Sequence, residues 1–457
     1  MMIKELSILG FRGFGEQQTI SFAIPNKEKY GSGLTIITGA NNSGKTTIIE
    51  SIRAFNGSVA PTFSEGKRNV STGRRVILRL VDESGEEHKI ETISSGGSTT
   101  IRTGSNDFKS YIVQSRRGFS HEFGRIDWDR ETYICNAQRL EGNRKNDLEA
   151  FGARIFQVER NKEDFNHIIK RVLGDDFNWV LEQSDNGSYY IKYLKDCVEH
   201  SSEGIGDGVW SIFTICAALF DAQENSLIVI DEPELSVHPA LQKKLMNLLM
   251  EYAQNHQIIV CTHSPYFVNW EAVVNGANLI RVVKEGVYTK CYEISDECRK
   301  KFKGILRDLN NPHTLGVVAI EALFLEDGII LVEGQEDVVI FNKVAQYLGI
   351  PIKGNFFGWG VGGSTKMKAF LMLFRDLGYR KVVAILDGDK KEDAQRLRSE
   401  FANNGYEVID LLTDDIRDKE ERTISAKCGI TDTMGNIKDK YIQYAGQLIG
   451  EINSYFT

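Results

Sequence analysis

The segment Leu34-Thr-Ile-Ile-Thr-Gly39-Ala-Asn-Asn-Ser-Gly44-Lys45-Thr46-Thr47-Ile-Ile-Glu-Ser-Ile-Arg53 decides the fold. Its first five residues are an apolar β run, its last nine place isoleucines at helical spacing, and the bridge between them has the G-x-x-x-x-G-K-T spacing of a phosphate loop. The chemistry needs these residue types. Glycines at 39 and 44 let the backbone N–H groups of Asn41, Asn42, Ser43 and Gly44 close around phosphate oxygens. Lys45 neutralises charge at the β/γ position, and the hydroxyl of Thr46 reaches Mg²⁺. Gly39, Asn41, Asn42, Ser43, Gly44, Lys45, Thr46 and Thr47 are therefore the expected nucleotide contacts, with ATP and Mg²⁺ as cofactors.

Further along, Leu227-Ile-Val-Ile-Asp231-Glu232-Pro233-Glu234 ends an apolar strand on adjacent carboxylates. Asp231 is placed to hold Mg²⁺ through water, and Glu232 to polarise an attacking water as a general base. A helix from about Pro239 to Ala253 leads to a second apolar strand, IIVCT, and His263 follows it where a polar side chain reaches a γ-phosphate at the C-terminal edge of the sheet. Strands this apolar, with helices between them, imply a buried and largely parallel sheet.

Around this nucleus, the first hundred residues alternate short β patterns with turn residues, including a hairpin about Glu83–Glu87. Between residues 140 and 185 the pattern turns helical: Leu148, Phe151, Ile155 and Val158, then Phe165, Ile168, Ile169 and Val172, recur at spacings of three and four. The expected organisation is an ATPase domain over 1–305 carrying that helical insertion, a linker over 306–327, a small α/β domain over 328–425, and a helical tail over 426–457.

The second α/β unit carries its own acids. Glu333 closes the strand GIILVE, and Asp387 and Asp389 close VVAIL as Asp-Gly-Asp. Parallel strands bring their C-terminal ends to one edge, so these carboxylates converge there. Like charges so close raise one another's pKa, and the set suits oxygen-ligated Mg²⁺ or Mn²⁺. Two such ions activate water and stabilise the leaving oxygen of a phosphodiester. Lys390-Lys391, directly after the acids, is placed to neutralise a phosphate.

Composition sets the outer bounds. The chain has 457 residues with 55 Lys+Arg against 63 Asp+Glu, a net charge of −8, which excludes a protein that grips nucleic acid by bulk positive charge. Its 7 cysteines show no C-x-x-C spacing and read as reduced structural thiols rather than a disulfide framework or zinc site. No apolar run has the length of a membrane span, so a cytoplasmic, membrane-free protein is expected.

The opening IKELSILGFRGFGEQQTISF, the phosphate loop, DEPELSVHP and THS together resemble the ATP-binding-cassette head of the SMC, RecF and OLD (overcoming lysogenization defect) ATPases. That resemblance implies a homodimer or higher homo-oligomer in which two heads sandwich two ATP molecules and each offers a signature loop to the other. The matching stretch is Ser202–Ser211, with Gly206, Asp207 and Gly208 at the nucleotide; Asp207 and Trp210 depart from the usual Ser-Gly-Gly-Gln form. The Q-loop glutamine is Gln114 or Gln138, with Gln114 preferred.

EALFLEDGIILVEGQEDVVIF resembles the entry into the Toprim domain of OLD-family nucleases. On that pattern Glu333 and Asp337 flank one metal, Asp387 and Asp389 hold the others, and Gly360, Gly362 and Gly363 form the small-residue turn after the second strand. A further acid is expected after EVIDLL, with Asp414, Asp415, Asp418 and Glu420 all open. The fold class implied is α/β: an ABC-type head with a β-rich N-terminal part, followed by a small Rossmann-like Toprim sheet. The function implied is an ATP-binding, Mg²⁺- or Mn²⁺-dependent DNA endonuclease in bacterial defence against phage, working with a partner protein or a reverse transcriptase. The alternatives are an ATPase sensor or scaffold whose Toprim unit is inactive, and a RecF-like repair ATPase.

Overall fold

The structure is a computed structural model. It describes the chain except residues 58, 106–107, 116–123, 138–151, 153, 196–197, 202–205, 223–225, 307–315, 326–327 and 421–425. The described chain divides into two compact units, Met1–Glu293 and Ile294–Thr457.

In the first unit, five strands form an antiparallel sheet in the order Gln18–Ser21, Ile3–Leu9, Ile77–Asp82, Glu87–Thr92, Thr100–Thr103. The expected hairpin is the Ile77–Asp82/Glu87–Thr92 pair. A second sheet of six strands runs Tyr288–Glu293, Asn278–Glu285, Leu34–Thr38, Gln257–Cys261, Leu227–Asp231, Ser110–Val113. Only its Tyr288–Glu293 edge is antiparallel; the four other pairings are parallel. The three strands Leu34–Thr38, Gln257–Cys261 and Leu227–Asp231 are buried at every residue, as their unbroken apolar runs require.

Helix Lys45–Arg53 follows the phosphate loop and buries Ile48, Ile49 and Ile52 in one core with Ile3, Leu6 and Leu78 of the antiparallel sheet, Val229 and Ile259 of the other sheet, and Phe11 and Phe14 of the loop after Ile3–Leu9. Each such side chain contributes about 1.5–3 kcal/mol on leaving water. Gln257 accepts from Ile3 N at 2.7 Å and donates to the carbonyls of Ile3 and Ala23 at 2.6 and 2.9 Å, joining the sheets through one amide.

Two expectations about the insertion and the tail are corrected. The helical pattern is realised as Ile155–Arg160 and Lys162–Leu173, but it stops there; Asn178–Gln183 is the first strand of a three-stranded antiparallel sheet with Tyr189–Lys195 and Val198–Ser201. Gly174 ends the helix, and the alternation from Phe177 to Val180 has period two, with Phe177 and Trp179 buried. Leu148 and Phe151 lie outside the described residues.

In the second unit, four parallel strands are ordered Asn355–Phe356, Ile329–Leu331, Val382–Leu386, Glu407–Asp410. Helix Asp296–Leu306, which the sequence reading gave to the ATPase domain, belongs here: Phe302 packs edge-on against Phe370, and Ser295 N donates to Asp376 at 3.0 Å. The C-terminal segment is not an appended helical tail. Gly429–Thr431 is a strand paired with Asp415–Arg417, and helix Ile442–Phe456 buries Ala445, Leu448, Ile449, Ile452 and Phe456 in the core with Val338, Phe341 and Ile385. Half of the expected linker, 306–327, lies outside the described residues, and Val317–Glu321 within it is helical.

Candidate functional sites: a phosphate loop and a carboxylate edge

The phosphate loop occupies the C-terminal end of Leu34–Thr38, flanked by the strands that lead to His263 and to the Tyr288 hairpin. Gly39 has φ +142, and a Cβ there would sit 2.0 Å from the carbonyl O of Val282; Gly44 has φ +124 and lies against Thr289. Both positions therefore require glycine. Thr289 fixes the loop from the neighbouring hairpin: its Oγ1 donates to Ser43 O at 2.9 Å and its N–H to Gly13 O at 2.8 Å.

A cavity of about 440 Å³ opens over the loop, lined among others by Asn41, Asn42, Lys45, Thr46, Glu232 and His263. Lys45 Nζ donates to the carbonyls of Gly39 and Ala40 at 2.8 and 3.0 Å. Burial holds this ammonium below its ordinary pKa, while Cys261, Asp231, Glu232 and Glu234 pull it back up. The Ser43 hydroxyl is buried without a hydrogen-bond partner. A cation folded over two carbonyls, an orphaned hydroxyl and a backbone cradle that only glycine permits fit a nucleotide triphosphate with its Mg²⁺.

Asp231 ends its strand buried, and Glu232 follows in a left-handed conformation, φ +49, its N–H donated to Cys261 O at 2.8 Å. His263 Nε2 lies 3.8 Å from Glu232 Oε1. Burial, then the Lys45 charge, lowers the His263 pKa against the pull of Glu232, so the ring is neutral at neutral pH. Sequence reasoning passed over Glu234, whose carboxylate accepts from Thr262 Oγ1 at 2.8 Å and His263 N at 2.5 Å. The only available signal was its place three residues after Asp231.

The remaining nucleotide-site expectations separate. Gln114 directly follows the edge strand Ser110–Val113, and its neighbour Ser115 lines the cavity. Gln138 and Ser202–Ile205 lie outside the described residues. Gly206 caps helix Asp207–Phe220, Asp207 is exposed, and a Cβ on Gly208 would meet Ser236 O at 2.3 Å. Trp210 is buried in the ring cluster with Phe213, so its departure from the signature form serves the core.

In the second unit the sheet's C-terminal edge gathers the acids. Asp387 N donates to Glu333 Oε1 at 3.0 Å, and Gly334 N to Asp337 Oδ2 at 2.7 Å. Gly360, Gly362 and Gly363 all have positive φ, and the amides of the latter two donate to Glu333 O at 2.9 and 2.8 Å. Gly388, between the two aspartates, donates to Thr413 O at 2.9 Å, and a Cβ there would lie 2.3 Å from that oxygen. This close approach brings the next loop to the edge, and with it Asp415, 1% exposed. Of the four acids left open by the sequence, Asp415 is the one that joins the cluster; Asp418 turns away to Lys438 at 2.6 Å.

Burial, then the charges of Asp415, Asp337 and Glu333, push the Asp387 pKa up to about 8. Burial, then Asp415 and Glu333, push Asp337 up to about 7. Glu333 is raised too, first by burial and then by Asp389. Asp389 is partly buried, yet Lys427 at 2.8 Å and Lys390 at 3.5 Å hold it below the ordinary carboxylate range. Lys419 lies 2.6 Å from Asp415 Oδ2, and Lys427 3.6 Å from it. Carboxylates that resist ionisation together, with lysines drawn in among them, are a donor set that fits hard divalent cations. The acids are spread along the edge: among the described residues no three of them bring oxygens within 4.8 Å of one another.

One tighter group, Asp82, Glu86 and His88, meets that spacing. It closes the hairpin turn: Asp82 Oδ1 accepts from Ser84 N, Ser84 Oγ and Glu86 N, while His88 Nδ1 accepts from Ser105 N at 3.1 Å. Arg74 pairs with Glu65 and Arg75 with Glu91. Six cysteines are free thiols, and Cys197 lies outside the described residues. No helix among the described residues is long and apolar enough to cross a membrane.

Comparison with known proteins agrees with this division. Residues 34–269, more than half of the chain, match a family model described as "AAA domain, putative AbiEii toxin, Type IV TA system". Residues 324–389 match the overcoming lysogenization defect protein-like TOPRIM domain. The Septu protein PtuA of Bacillus thuringiensis is 26% identical over 60% of this chain and 74% of its own length. The OLD nuclease of Thermus scotoductus is 22% identical over 68% of this chain and 70% of its own. Among solved structures, an Smc head bound to the C-terminal winged-helix domain of ScpA aligns over 66% of this chain and all of its own, at 17% identity and a TM-score of 0.40. The chain belongs to this AAA-domain ATPase family and carries behind it an OLD-like TOPRIM domain, homologous to those of the OLD nucleases.

Proposed function

We propose that this protein is an ATP-regulated DNA endonuclease of the OLD type that acts in bacterial defence against phage. The observation that carries the reading is the meeting of Glu333, Asp337, Asp387 and Asp415 on one sheet edge, with Asp387 raised to about 8, in a chain that also holds a complete phosphate loop. In this reading Glu333, Asp337, Asp387, Asp389 and Asp415 hold Mg²⁺ or Mn²⁺, which supplies an activated water and charge stabilisation on the phosphodiester. Lys390 and Lys427 release Asp389 and turn to phosphate oxygens. At the ATPase site Lys45 leaves the Gly39 and Ala40 carbonyls for the β/γ-phosphates, Thr46 and Asp231 hold Mg²⁺, Glu232 orients water, and neutral His263 donates toward the γ-phosphate. Gln114 and the Gly206–Gly208 turn complete the nucleotide contacts between two copies of the chain, and a partner protein or reverse transcriptase completes the defence system.

The test is nicking of supercoiled plasmid by the purified chain with Mg²⁺ or Mn²⁺, with and without ATP, for wild type, Asp387→Ala and Lys45→Ala. Cleavage lost in Asp387→Ala and altered in its ATP response by Lys45→Ala supports the reading. A protein that binds ATP and never nicks under these conditions is instead a sensor or scaffold for a partner effector.

A further inference from the structure

We infer that Glu234 is a positioning residue for His263, clamping the γ-phosphate-facing turn to the carboxylate turn of the ATPase site. The inference deepens the proposed ATPase mechanism and rests on the role given there to His263.

Three observations carry it. First, both oxygens of this one half-buried carboxylate are engaged by consecutive residues of the Thr262-His263 turn: Oε2 by the Thr262 hydroxyl at 2.8 Å and Oε1 by the His263 amide at 2.5 Å. Second, backbone pairing joins the two strands as far as Glu232 N, which donates to Cys261 O at 2.8 Å, and Glu234 carries the tie beyond the strand ends into the turns. Glu232 sits at φ +49, a conformation that favours glycine, and its own side chain reaches His263 only at 3.8 Å. The strained residue and the histidine are held in register by the side chain two positions on.

Third, the brace is doubled behind it. Gln242, from helix Pro239–Tyr252, accepts from Ser264 Oγ at 2.6 Å and donates to Val237 O at 2.7 Å, again spanning the same two turns. Thr262 Oγ1 also accepts from Ser264 N at 2.9 Å. The His263 backbone is thus fixed from both sides while its ring stays free to face the cavity that Lys45 and Thr46 line. Burial raises the Glu234 pKa, and the His263 amide and the Thr262 hydroxyl work against that rise. A carboxylate drawn partly out of water is costly to keep unless its contacts are needed.

A displacement of about 1 Å at a reacting geometry costs on the order of 100-fold in rate. The clamp therefore acts on the rate of hydrolysis and leaves nucleotide affinity alone. The experiment is a double-mutant cycle on the full chain, reading single-turnover ATP hydrolysis and, separately, binding of a non-hydrolysable ATP analogue. Glu234→Ala is expected to slow hydrolysis by about 10- to 100-fold with analogue affinity unchanged, His263→Ala to slow it by as much, and the double variant to be no slower than either. Glu234→Gln, which keeps an acceptor for the His263 amide, is expected to recover most of the rate.

Additive losses in the double variant, or a Glu234→Ala protein that hydrolyses ATP normally while His263→Ala does not, overturn the inference and leave the role of His263 standing. Normal hydrolysis by His263→Ala overturns both. Should Glu234→Ala fail to fold, Thr262→Val removes one of the two contacts and runs the same cycle with His263→Ala; additivity there overturns the clamp equally.

Discussion

The amide of Asp387 donates to Glu333 Oε1 at 3.0 Å, so the end of one parallel strand holds the carboxylate at the end of its neighbour. Parallel pairing of those strands explains how two acids about fifty residues apart share an edge, and their closeness sets an electrostatic problem that protons solve when no metal is present. Asp387 titrates near 8 and Asp337 near 7, against about 3.9 for an aspartate in an unfolded chain. Between pH of about 4 and those values the folded protein keeps protons that the unfolded chain has released, so stability falls as pH rises through that window. Asp389, lowered by its lysines, acts in the opposite sense but only below it. Thermal unfolding of metal-free protein is expected to show a falling Tm from pH 5 to pH 8, and saturating Mg²⁺ is expected to raise Tm more at pH 8 than at pH 5. A metal-free Tm that rises with pH across this range contradicts the assignment.

Asp415 and Asp418 lie three residues apart and separate cleanly in their expected effects. Asp415 is buried beside Asp387 and Asp337, whereas Asp418 accepts from Gly429 N at 2.8 Å and pairs with Lys438. Asp415→Asn is expected to weaken Mn²⁺ binding, followed by calorimetry, by at least about tenfold, the typical scale for removing a group that supports a metal site. Asp418→Asn is expected to leave Mn²⁺ affinity unchanged and to cost about 1 kcal/mol of stability through its lost hydrogen bonds. Equal effects on metal binding would remove Asp415 from the site.

The pattern of legibility follows from what each signal depends on. Gly39 to Thr47 and the acids at strand ends were readable because strand, loop and helix are local, and parallel pairing fixes which ends meet. Asp415 was not, because its placement comes from Gly388 approaching Thr413, a contact between backbones that no spacing announces. Glu234 was passed over because its partners, Thr262 and His263, lie in the turn after another strand. The helical insertion was drawn too long since Phe177 and Trp179 are apolar in either period, and only the pairing with Tyr193 and Leu194 chooses the strand. The tail was misjudged because amphipathic spacing in Ile442–Phe456 reveals a buried face without naming what buries it.

The phosphate loop predicts a sharp steric failure. At φ +142, with Val282 O 2.0 Å from the position of a Cβ, Gly39→Ala forces the loop away from the strand Asn278–Glu285. Strained backbone of this kind costs on the order of 1–3 kcal/mol where it persists. The variant is expected to lose measurable binding of a fluorescent ATP analogue and to unfold at a lower temperature than wild type. Gly66→Ala, where a Cβ meets nothing within 4 Å, is the control and is expected to bind normally.

The last helix predicts that the second unit requires its C-terminus. Phe456 is buried, and both Gly328 and Gly354 owe their small size to it, since a Cβ on either would lie 2.4 or 2.6 Å from its ring. Lys381 Nζ donates to Phe456 O at 2.5 Å, tying the helix end to the residue before the strand that carries Asp387. Phe456→Ala is expected to destabilise this unit by about 3–5 kcal/mol, the usual cost of removing a buried phenyl ring. Because the ring sits at the N-terminal end of the sheet strands, opposite the acids, the residual folded protein should keep its Mn²⁺ affinity. Denaturant unfolding alongside calorimetry separates the two effects: loss of metal affinity in a fully folded Phe456→Ala protein would mean that the helix shapes the carboxylate edge directly.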